Sequence, residues 1–564
     1  MIKIKLLVRI AIGFIALVAS GYSFAQNNNL EIDIIKQSNH DIAISLRFIA
    51  SNSDTSRLKF TNWAGLDNKS QHIEQMNIVA GNESLEFKEI SDGEWRFTHT
   101  PQQAVEVSYV VKVNDRQAIG DNREVYRPIV NPKLFHAVGN NFLVLPQHLT
   151  DKVSLKLTWI NFEGLATLSS LGSIDQTFQV ETDLQAIYDS LYVAGPLTVI
   201  KKNVRGKVLY VSLHGSDWPF TAKELADLAE KITVAERDYF DDHDFPFYWI
   251  SAIGTGKPLK QGYEFSGTRL HNNFALFLNP STVFEYDLPT GSPIISLLAH
   301  EMMHVWFGGK LLPASAIAKN NIPQGTYAWL TEGFDNYFTN RVLFKSDILS
   351  KQQYINTINQ LLKHYHNNSA NNDDNTTLAK KFWTSLDHQK LPYQRGELIA
   401  FALDYALVEH SLKDLVLEWL KTPKWQQSFT FKDFESSFKG KITQRQLQHV
   451  MTVLNDGIDI NWPLMLENSC LMIQPVKTPI WDSGFDHNKS FKTKTISGVR
   501  QTSAAYKAGL RDGQQLMSGS MVFDDIENMV SLKIDSREEA VKYLPVRYGE
   551  AIEQLTLKQQ NCLD

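Results

Sequence analysis

The stretch Ile294–Phe307 constrains this chain more than any other. It contains no Gly or Pro and its apolar residues follow helical spacing, so it predicts one buried helix. Within it His300 and His304 stand four residues apart, which places both imidazoles on one face of a helix. In a His-Glu-x-x-His pattern two such imidazoles bind Zn²⁺, and the glutamate between them, here Glu301, accepts a proton from the attacking water.

A pattern this short also occurs by chance on helices whose histidines are ordinary core or surface residues. A catalytic zinc ion needs a third protein ligand, and Glu332 is a candidate because it stands among aromatic and apolar residues, where a carboxylate is costly unless a cation compensates it. A glutamate that merely favours a helix start is the alternative. We predict one zinc ion per chain, bound by His300, His304 and Glu332. Asp335 or Asn336, about one turn further on, is expected to orient a ligand histidine.

The N-terminal segment differs from the rest. Three basic residues precede the apolar run Ile10–Ala19, and the small residues Ser23 and Ala25 follow, which predicts a secretory signal peptide over residues 1–25. An uncleaved anchor is the alternative, although the run is short for a bilayer span. We expect an exported protein of the periplasm of a Gram-negative bacterium, with no membrane span after cleavage. The remainder carries 56 − 3 = 53 basic against 62 acidic residues and no basic cluster, so we expect no nucleic-acid partner.

The chain has two cysteines, Cys470 and Cys562. They do not form a Cys-x-x-Cys pair, which argues against thiolate metal binding. In an oxidising compartment they could form a disulfide, and closing so long a loop would stabilise the fold by up to roughly 4–5 kcal/mol. Sequence alone does not show whether they are close enough to pair.

At 564 residues the chain is long enough for three to four domains. Residues 26–204 contain short alternating or β-rich runs such as Ile42–Phe48, Val105–Val113 and Val153–Trp159, which predict a β-sandwich-like domain without catalytic residues.

Residues 205–470 have a different pattern. Val208–Leu213 and Phe247–Ala252 predict strands, Ala222–Tyr239 predicts an amphipathic helix, and Asn273–Asn279 predicts an exposed-edge strand. The histidine-bearing helix and several further helices follow, so this region predicts an α+β catalytic domain with a mostly helical second half.

His300-Glu-Met-Met-His304, with Glu332 in a Trp-Leu-x-Glu-Gly-Phe context, resembles the gluzincin aminopeptidases, zinc enzymes with a thermolysin-like catalytic domain. The 27 residues between the second His and the Glu (305 to 331) are similar to the longer gap of the glycyl aminopeptidase family, which also carries a C-terminal PDZ domain. Val305–Gly309, in contrast, resembles the leukotriene-hydrolase and alanyl-aminopeptidase branch.

Two further segments extend this resemblance. The segment Gly262-Tyr-Glu264-Phe265 is similar to the family segment whose glutamate binds the free amino group of the substrate, which implies that role for Glu264 and places Gly262 among the substrate-binding residues. Phe265 stands where the families have His or Asn, and a surface-loop Glu is the alternative. The segment Leu391–Gly396 resembles the family segment whose tyrosine stabilises the oxyanion, which implies that role for Tyr393.

Residues 471–564 predict a last, PDZ-like domain. Lys494–Val499 predicts a strand, Ser503–Gly513 resembles a stretch of bacterial PDZ domains, and Gln554–Lys558 predicts the closing strand. Such a domain takes an extended peptide by β-augmentation or serves as a structural appendage.

Taken together, these patterns predict a multidomain α+β zinc aminopeptidase that acts on peptides and prefers small N-terminal residues such as Gly or Ala. Two alternatives stay open. One is a zinc endopeptidase with PDZ-guided substrate binding, which would not need Glu264. The other is a catalytically inactive PDZ protein that binds peptides, which would be expected to have lost Glu301.

Overall fold

The computed structural model describes residues 28–61, 66, 68–113, 126–149, 152–172, 176–215, 217–244, 247–259, 264–316, 321–522, 526–549, 551–558 and 562–563. The predicted signal peptide lies outside the described residues, as does Gly262. Within the described ranges, every helix is too short or too polar to cross a bilayer. The chain divides into two compact units. The first reaches Thr198 and includes Gly254–Gly256 and Leu270–Asn273, and the second contains the remainder.

The first unit is rich in β-structure. Its described elements are β1 (Asn29–Lys36), β2 (Ile42–Ile49), β3 (Thr55–Lys59), β4 (Ile73–Ala80), β5 (Glu83–Ser84), β6 (Phe87–Ser91), β7 (Glu94–Thr98), β8 (Ala104–Val111), β9 (Ile129–Val130), β10 (Phe135–Val138), β11 (Leu145–Pro146), β12 (Lys152–Ile160), β13 (Ala166–Ser169), β14 (Thr177–Asp183), α1 (Leu184–Tyr188) and β15 (Leu191–Gly195).

These strands form three sheets around one core. The largest has the order β14-β12-β1-β2-β8-β4-β5, and the others are β13-β15-β10-β9 and β11-β3-β7-β6. In β12 the side chains of Val153, Leu155, Leu157 and Trp159 are buried on one face, as period-two alternation requires. The predicted β-rich N-terminal region is therefore confirmed.

The second unit begins with a mixed sheet. Its elements are β16 (Leu197–Val204), β17 (Lys207–His214), α2 (Ala222–Phe240), β18 (Phe247–Gly254), β19 (Phe265–Leu270) and β20 (Asn273–Leu278). The strand order is β16-β17-β18-β20-β19. The prediction of an exposed edge strand at Asn273–Asn279 is wrong, because β20 lies inside the sheet with all six residues buried. The edge position belongs to β19, which pairs along the outer side of β20.

Helices dominate the second half of the chain. They are α3 (Pro293–Met303), a π-helical turn (Trp329–Phe334), α4 (Asp335–Lys345), α5 (Lys351–Asn367), α6 (Asn375–Lys381), α7 (Leu386–Ala406), α8 (Leu412–Leu420), α9 (Pro423–Gln427), α10 (Phe431–Phe438), α11 (Gln444–Asp456) and α12 (Trp462–Met465). The apolar residues of α3 pack mainly against the mixed sheet. Those of the other helices meet in one large core, and the predicted helical second half is confirmed.

Helix α3 is shorter than the predicted Ile294–Phe307 because a tight turn ends it. His304 is its C-cap, and Gly308 adopts φ 82°, a left-handed conformation that glycine favours. A Cβ on Gly309 would lie 2.3 Å from the carbonyl oxygen of Val305, so this turn also requires glycine there.

The C-terminal segment contains β21 (Leu471–Lys477), β22 (Ile480–Trp481), α13 (His487–Thr493), α14 (Ala504–Lys507), β23 (Leu516–Ser520), β24 (Val530–Ile534), β25 (Val541–Tyr543), β26 (Val546–Arg547) and β27 (Ala551–Leu557). Antiparallel strands β21 and β27 pack their buried side chains into the helical core, whereas the part between them has a small core of its own. The predicted strand Gln554–Lys558 coincides with β27.

The predicted strand at Lys494–Val499 is wrong. In this segment only Thr495 forms a β-bridge, to Gln515. The preceding helix runs to Thr493, and both Lys494 (φ 55°) and Gly498 (φ 69°) adopt left-handed backbone conformations that a continuous strand cannot contain.

A disulfide joins Cys470 and Cys562 next to the β21–β27 pair, with their Cα atoms 5.6 Å apart and 92 residues apart in sequence. The disulfide closes residues 470–562 into a covalent loop, and the small C-terminal core lies within this loop. It thereby fixes both ends of that segment to the helical core.

We predict that reducing this disulfide lowers the midpoint of thermal unfolding. The closed loop reduces the conformational entropy of the unfolded chain, which is worth about 4–5 kcal/mol for a loop of this length. Differential scanning calorimetry with and without reductant measures the change. The double variant C470A/C562A is the control, since its midpoint should be low and insensitive to reductant. An equal midpoint for the oxidised and reduced wild type would contradict the prediction.

Candidate metal centre and active site

The end of helix α3 carries the first part of the site. Pro293 at its first turn is well suited to a helix start, and Ile294, Ile295 and Leu298 pack into the core that the mixed sheet shares. This packing fixes the helix and leaves His300 and His304 on the opposite side, with ring centroids 4.6 Å apart.

The imidazoles meet Glu332, which lies on the π-helical turn. Glu332 Oε2 is 3.5 Å from His300 Nε2 and 3.4 Å from His304 Nε2. These separations exceed the usual 2.7–3.2 Å of N–H···O hydrogen bonds, and within the described residues this buried oxygen has no hydrogen-bond partner. Zinc ligands at about 2.0–2.2 Å in a tetrahedron stand about 3.3–3.6 Å from one another. Both nitrogen-to-oxygen distances therefore match the spacing of zinc ligands.

Asp335 contacts the other nitrogen of each ring. Its Oδ1 lies 2.8 Å from His300 Nδ1 and its Oδ2 lies 3.1 Å from His304 Nδ1. Asp335 is fully buried, and Thr339 Oγ1 donates to Oδ1 at 3.3 Å. The possible ligand atoms of His300, His304 and Asp335 also lie within 4.8 Å of one another, so these three residues could hold a metal ion as well. The Nε2 atoms nevertheless face Glu332, so Asp335 is placed to orient the rings rather than to bind the metal. The carbonyl oxygen of Phe307, 3.0 Å from His304 Nδ1, shares this role for His304.

Asn336 has a different environment from its neighbour. Its side chain lies close enough to the buried carboxyl of Glu397 on α7 to lower the pKa of that carboxyl. Of the two residues predicted to orient a ligand histidine, the structure brings only Asp335 to the imidazoles.

The charges at the site call for a cation. Burial lowers the pKa of His304, but the Asp335 and Glu332 carboxylates outweigh this effect and raise it to about 9. Burial raises the pKa of Glu332, but the two histidines outweigh it and lower that pKa well below its usual range. Two buried carboxylates thus stabilise positive charge between them, which a zinc ion would supply.

Glu301 and Tyr393 complete the site. The pKa of Glu301 is raised by burial, which favours its action as a base near neutral pH. The ring of Tyr393 lies 5.9 Å from that of His300. Burial, followed by the charges of Glu332 and Glu301, raises the pKa of Tyr393 well above its usual value, so its hydroxyl stays protonated.

Glu264 lies just before β19 and is exposed. Within the described residues its carboxylate accepts a hydrogen bond from Asn279 Nδ2 at 3.1 Å, and its carbonyl oxygen accepts from Asn279 N at 2.8 Å. Arg269, on the same strand, donates to the carbonyl oxygen of Gly308 in the turn after α3. The strand that follows Glu264 thus reaches the turn next to the metal centre.

Three features of the site were not predicted. They are the π-helical turn that carries Glu332, the Thr339 hydroxyl behind Asp335, and the buried Glu397. The spacing of four residues between Tyr393 and Glu397 was the available signal, since it places both side chains on one side of α7.

Comparison with known proteins identifies the chain's relatives. A family model described as M61 glycyl aminopeptidase matches residues 293–399, and the M61 N-terminal domain model matches residues 29–192. The first match spans α3, the π-helical turn and the Tyr393 segment. The chain belongs to the M61 glycyl aminopeptidase family. It is accordingly a zinc metallopeptidase of the gluzincin aminopeptidase kind.

One solved structure shares the fold of this M61 peptidase, and a second resembles it more distantly. An aminopeptidase N family protein from Idiomarina loihiensis matches with a TM-score of 0.71 at 18% identity, covering 95% of this chain and 99% of that one. An M1 zinc metallopeptidase from Deinococcus radiodurans matches with a TM-score of 0.47 at 11% identity, covering 77% of this chain and 94% of that one. A search of curated proteins finds no match.

We predict that D335N weakens zinc binding by the M61 peptidase about 10–100-fold, because the two imidazoles lose the charged acceptor that orients them. Competition with a chromophoric chelator measures the affinity. N336A is the matched control, since Asn336 is the next residue but contacts Glu397. Equal losses in both variants would contradict the role of Asp335.

Proposed function

We propose that this protein is an aminopeptidase that hydrolyses the N-terminal bond of peptides, with one Zn²⁺ per chain held by His300, His304 and Glu332. The observation that carries the proposal is the convergence of the two Nε2 atoms on Glu332 Oε2 at 3.4–3.5 Å, next to Glu301 and Tyr393. Peptides are the expected substrates of a peptidase of this family.

A bound Zn²⁺ supplies Lewis acidity, which polarises the scissile carbonyl and makes water more acidic. Glu301 accepts a proton from the attacking water and returns it to the departing amine, a role that its raised pKa favours. The Tyr393 hydroxyl donates a hydrogen bond to the oxyanion that develops on the carbonyl oxygen. Asp335 holds both histidine rings in place throughout.

The first test concerns the base. We predict that E301Q retains zinc but loses nearly all turnover, because its amide cannot accept the proton. Metal analysis together with hydrolysis of amino-acid p-nitroanilides distinguishes this result from loss of the site. Chelation of the wild type should abolish activity, and added Zn²⁺ should restore it. Wild-type turnover by E301Q would refute the proposal.

Glu264 is the proposed partner of the substrate's free amino group. A carboxylate at a fixed position would bind the N-terminal amino group, so that only the bond after the first residue reaches the metal centre. This restriction distinguishes an aminopeptidase from an endopeptidase. Two observations support this role. Asn279 holds the carboxylate, and the following strand β19 lies at the edge of the sheet and reaches the turn after α3.

We predict that N-terminal acetylation of a peptide abolishes its cleavage, because it removes the charge that Glu264 pairs with. E264A should lower kcat/KM for free-amine peptides by about 10-fold or more, the worth of a charge-assisted hydrogen bond, while zinc content stays unchanged. Mass spectrometry of matched free and acetylated peptides provides the measurement. The control is E285A, because Glu285 is a partly exposed glutamate on the loop between β20 and α3. Internal cleavage of acetylated peptides at the same rate would identify an endopeptidase.

The proposed preference is for small first residues such as Gly or Ala. Its support is the description of the matched family as glycyl aminopeptidases. A p-nitroanilide series of Gly, Ala, Leu and Phe compares the kcat/KM values directly, and faster hydrolysis of the Leu and Phe substrates would reject the preference.

The proposed domains are the signal peptide 1–25, a β domain 26–204, a catalytic domain 205–470 and a PDZ-like domain 471–564. The separate small core of the C-terminal segment supports the last of these. Export to the periplasm belongs to the same proposal, and N-terminal sequencing of the protein from a fractionated cell tests it.

A further inference from the structure

The π-helical turn and helix α7 approach each other unusually closely. A Cβ on Gly396 would lie 1.9 Å from the carbonyl oxygen of Trp329, and a Cβ on Gly333 would lie 2.4 Å from the Cα atom of Gly396. Two glycines therefore allow the backbones to touch. Glu332 precedes one of these glycines, and Tyr393 lies three residues before the other.

Glu397 follows directly after this contact and is buried, with 4% of its surface exposed. Its Oε1 accepts a hydrogen bond from Asn340 Nδ2 at 2.7 Å, and the neighbouring Asn336 amide lowers the pKa of the same carboxyl. Both asparagines lie on α4, which continues directly from the π-helical turn. One carboxyl of α7 thus accepts a hydrogen bond from an amide of α4, the helix that continues from Glu332.

An apolar side chain would fill this position at a lower electrostatic cost. Removing a carboxylate from water is expensive unless hydrogen bonds compensate it. Burial, only partly offset by Asn340 and other neighbours, raises the pKa of Glu397 to about 7. The Glu397 carboxyl adds no apolar surface to the core. Its hydrogen bonding instead fixes the position of α7 relative to α4.

We propose that Glu397 is a positioning residue, which fixes the hydroxyl of Tyr393 relative to the metal ligand Glu332 by joining α7 to α4. This inference rests on the proposed function, because it takes Tyr393 as the donor to the oxyanion. Tyr393 and Glu397 stand four residues apart on the same side of α7, so a shift of this helix moves both. Displacements of about 1 Å at an active site can reduce turnover by about 100-fold.

The test is a double-mutant cycle of E397A and Y393F. We expect E397A to lower kcat by roughly 10–100-fold, with KM and zinc content unchanged. In the Y393F background the same substitution should cost little more, since the hydroxyl that it positions is already absent. Because Gln keeps the shape and an acceptor oxygen, E397Q should restore most of the lost kcat. N340A, which removes a donor to Glu397, should lower kcat in the same direction if E397A does not fold.

Asp404 provides a matched control on the same helix. It lies seven residues after Glu397, accepts a hydrogen bond from the hydroxyl of Tyr337 on α4, and accepts another from Leu412 N at 2.6 Å. D404A therefore also breaks a link between α7 and α4, but about 10 Å further along the helix. We expect it to lower the thermal midpoint while kcat stays near the wild-type value.

Three results would overturn the inference: equal losses of kcat in D404A and E397A, a full further loss from E397A in the Y393F background, or loss of zinc from E397Q. Failure of the proposed function gives a different pattern. In that case Y393F alone would keep the wild-type kcat, or E301Q would remain active.

Discussion

The site depends on two imidazole rings held between two buried carboxylates. Glu332 faces the Nε2 atoms and Asp335 faces the Nδ1 atoms, so all four ring nitrogens have a carboxylate within 3.5 Å. Two negative charges in a low-dielectric setting are unfavourable beside two neutral rings. A divalent cation bound on the Nε2 side would balance them, and metal binding would then contribute directly to the stability of this part of the fold.

Local sequence features bring the surrounding helices close to the two histidines. The tight turn at Gly308 ends α3 at the second histidine, and the π-helical turn spaces Glu332 and Asp335 differently from a regular helix. Gly333 and Gly396 then allow α7 to reach the backbone of that turn. The glycines thus bring Tyr393 to the metal centre although it is 61 residues beyond Glu332 in the chain (393 − 332).

Much of this site was predictable from sequence because its chemistry is local. The four-residue spacing of the histidines identifies the metal face of α3, and a carboxylate among aromatic residues identifies Glu332. The interior position of β20 had a signal as well, since Asn273–Leu278 lacks the alternation of a half-exposed strand. The pairing of β19 along the outer side of β20 could not be predicted, because it depends on tertiary contacts. The same is true of Glu397, because its partners lie on another helix and no local pattern reveals them.

The exposure of Glu264 changes the energetics of the proposed amine recognition. An ion pair in water contributes only about 0–1 kcal/mol, whereas a desolvated, hydrogen-bonded pair contributes more. Glu264 is exposed without a substrate, and Asn279 restricts its carboxylate. Strong selection for a free amino group therefore requires the substrate itself to exclude water from this carboxylate. Selectivity for N-termini should accordingly depend on how much of Glu264 the first residue of the substrate covers. Recognition of the amino group and preference for the first side chain are then properties of one subsite.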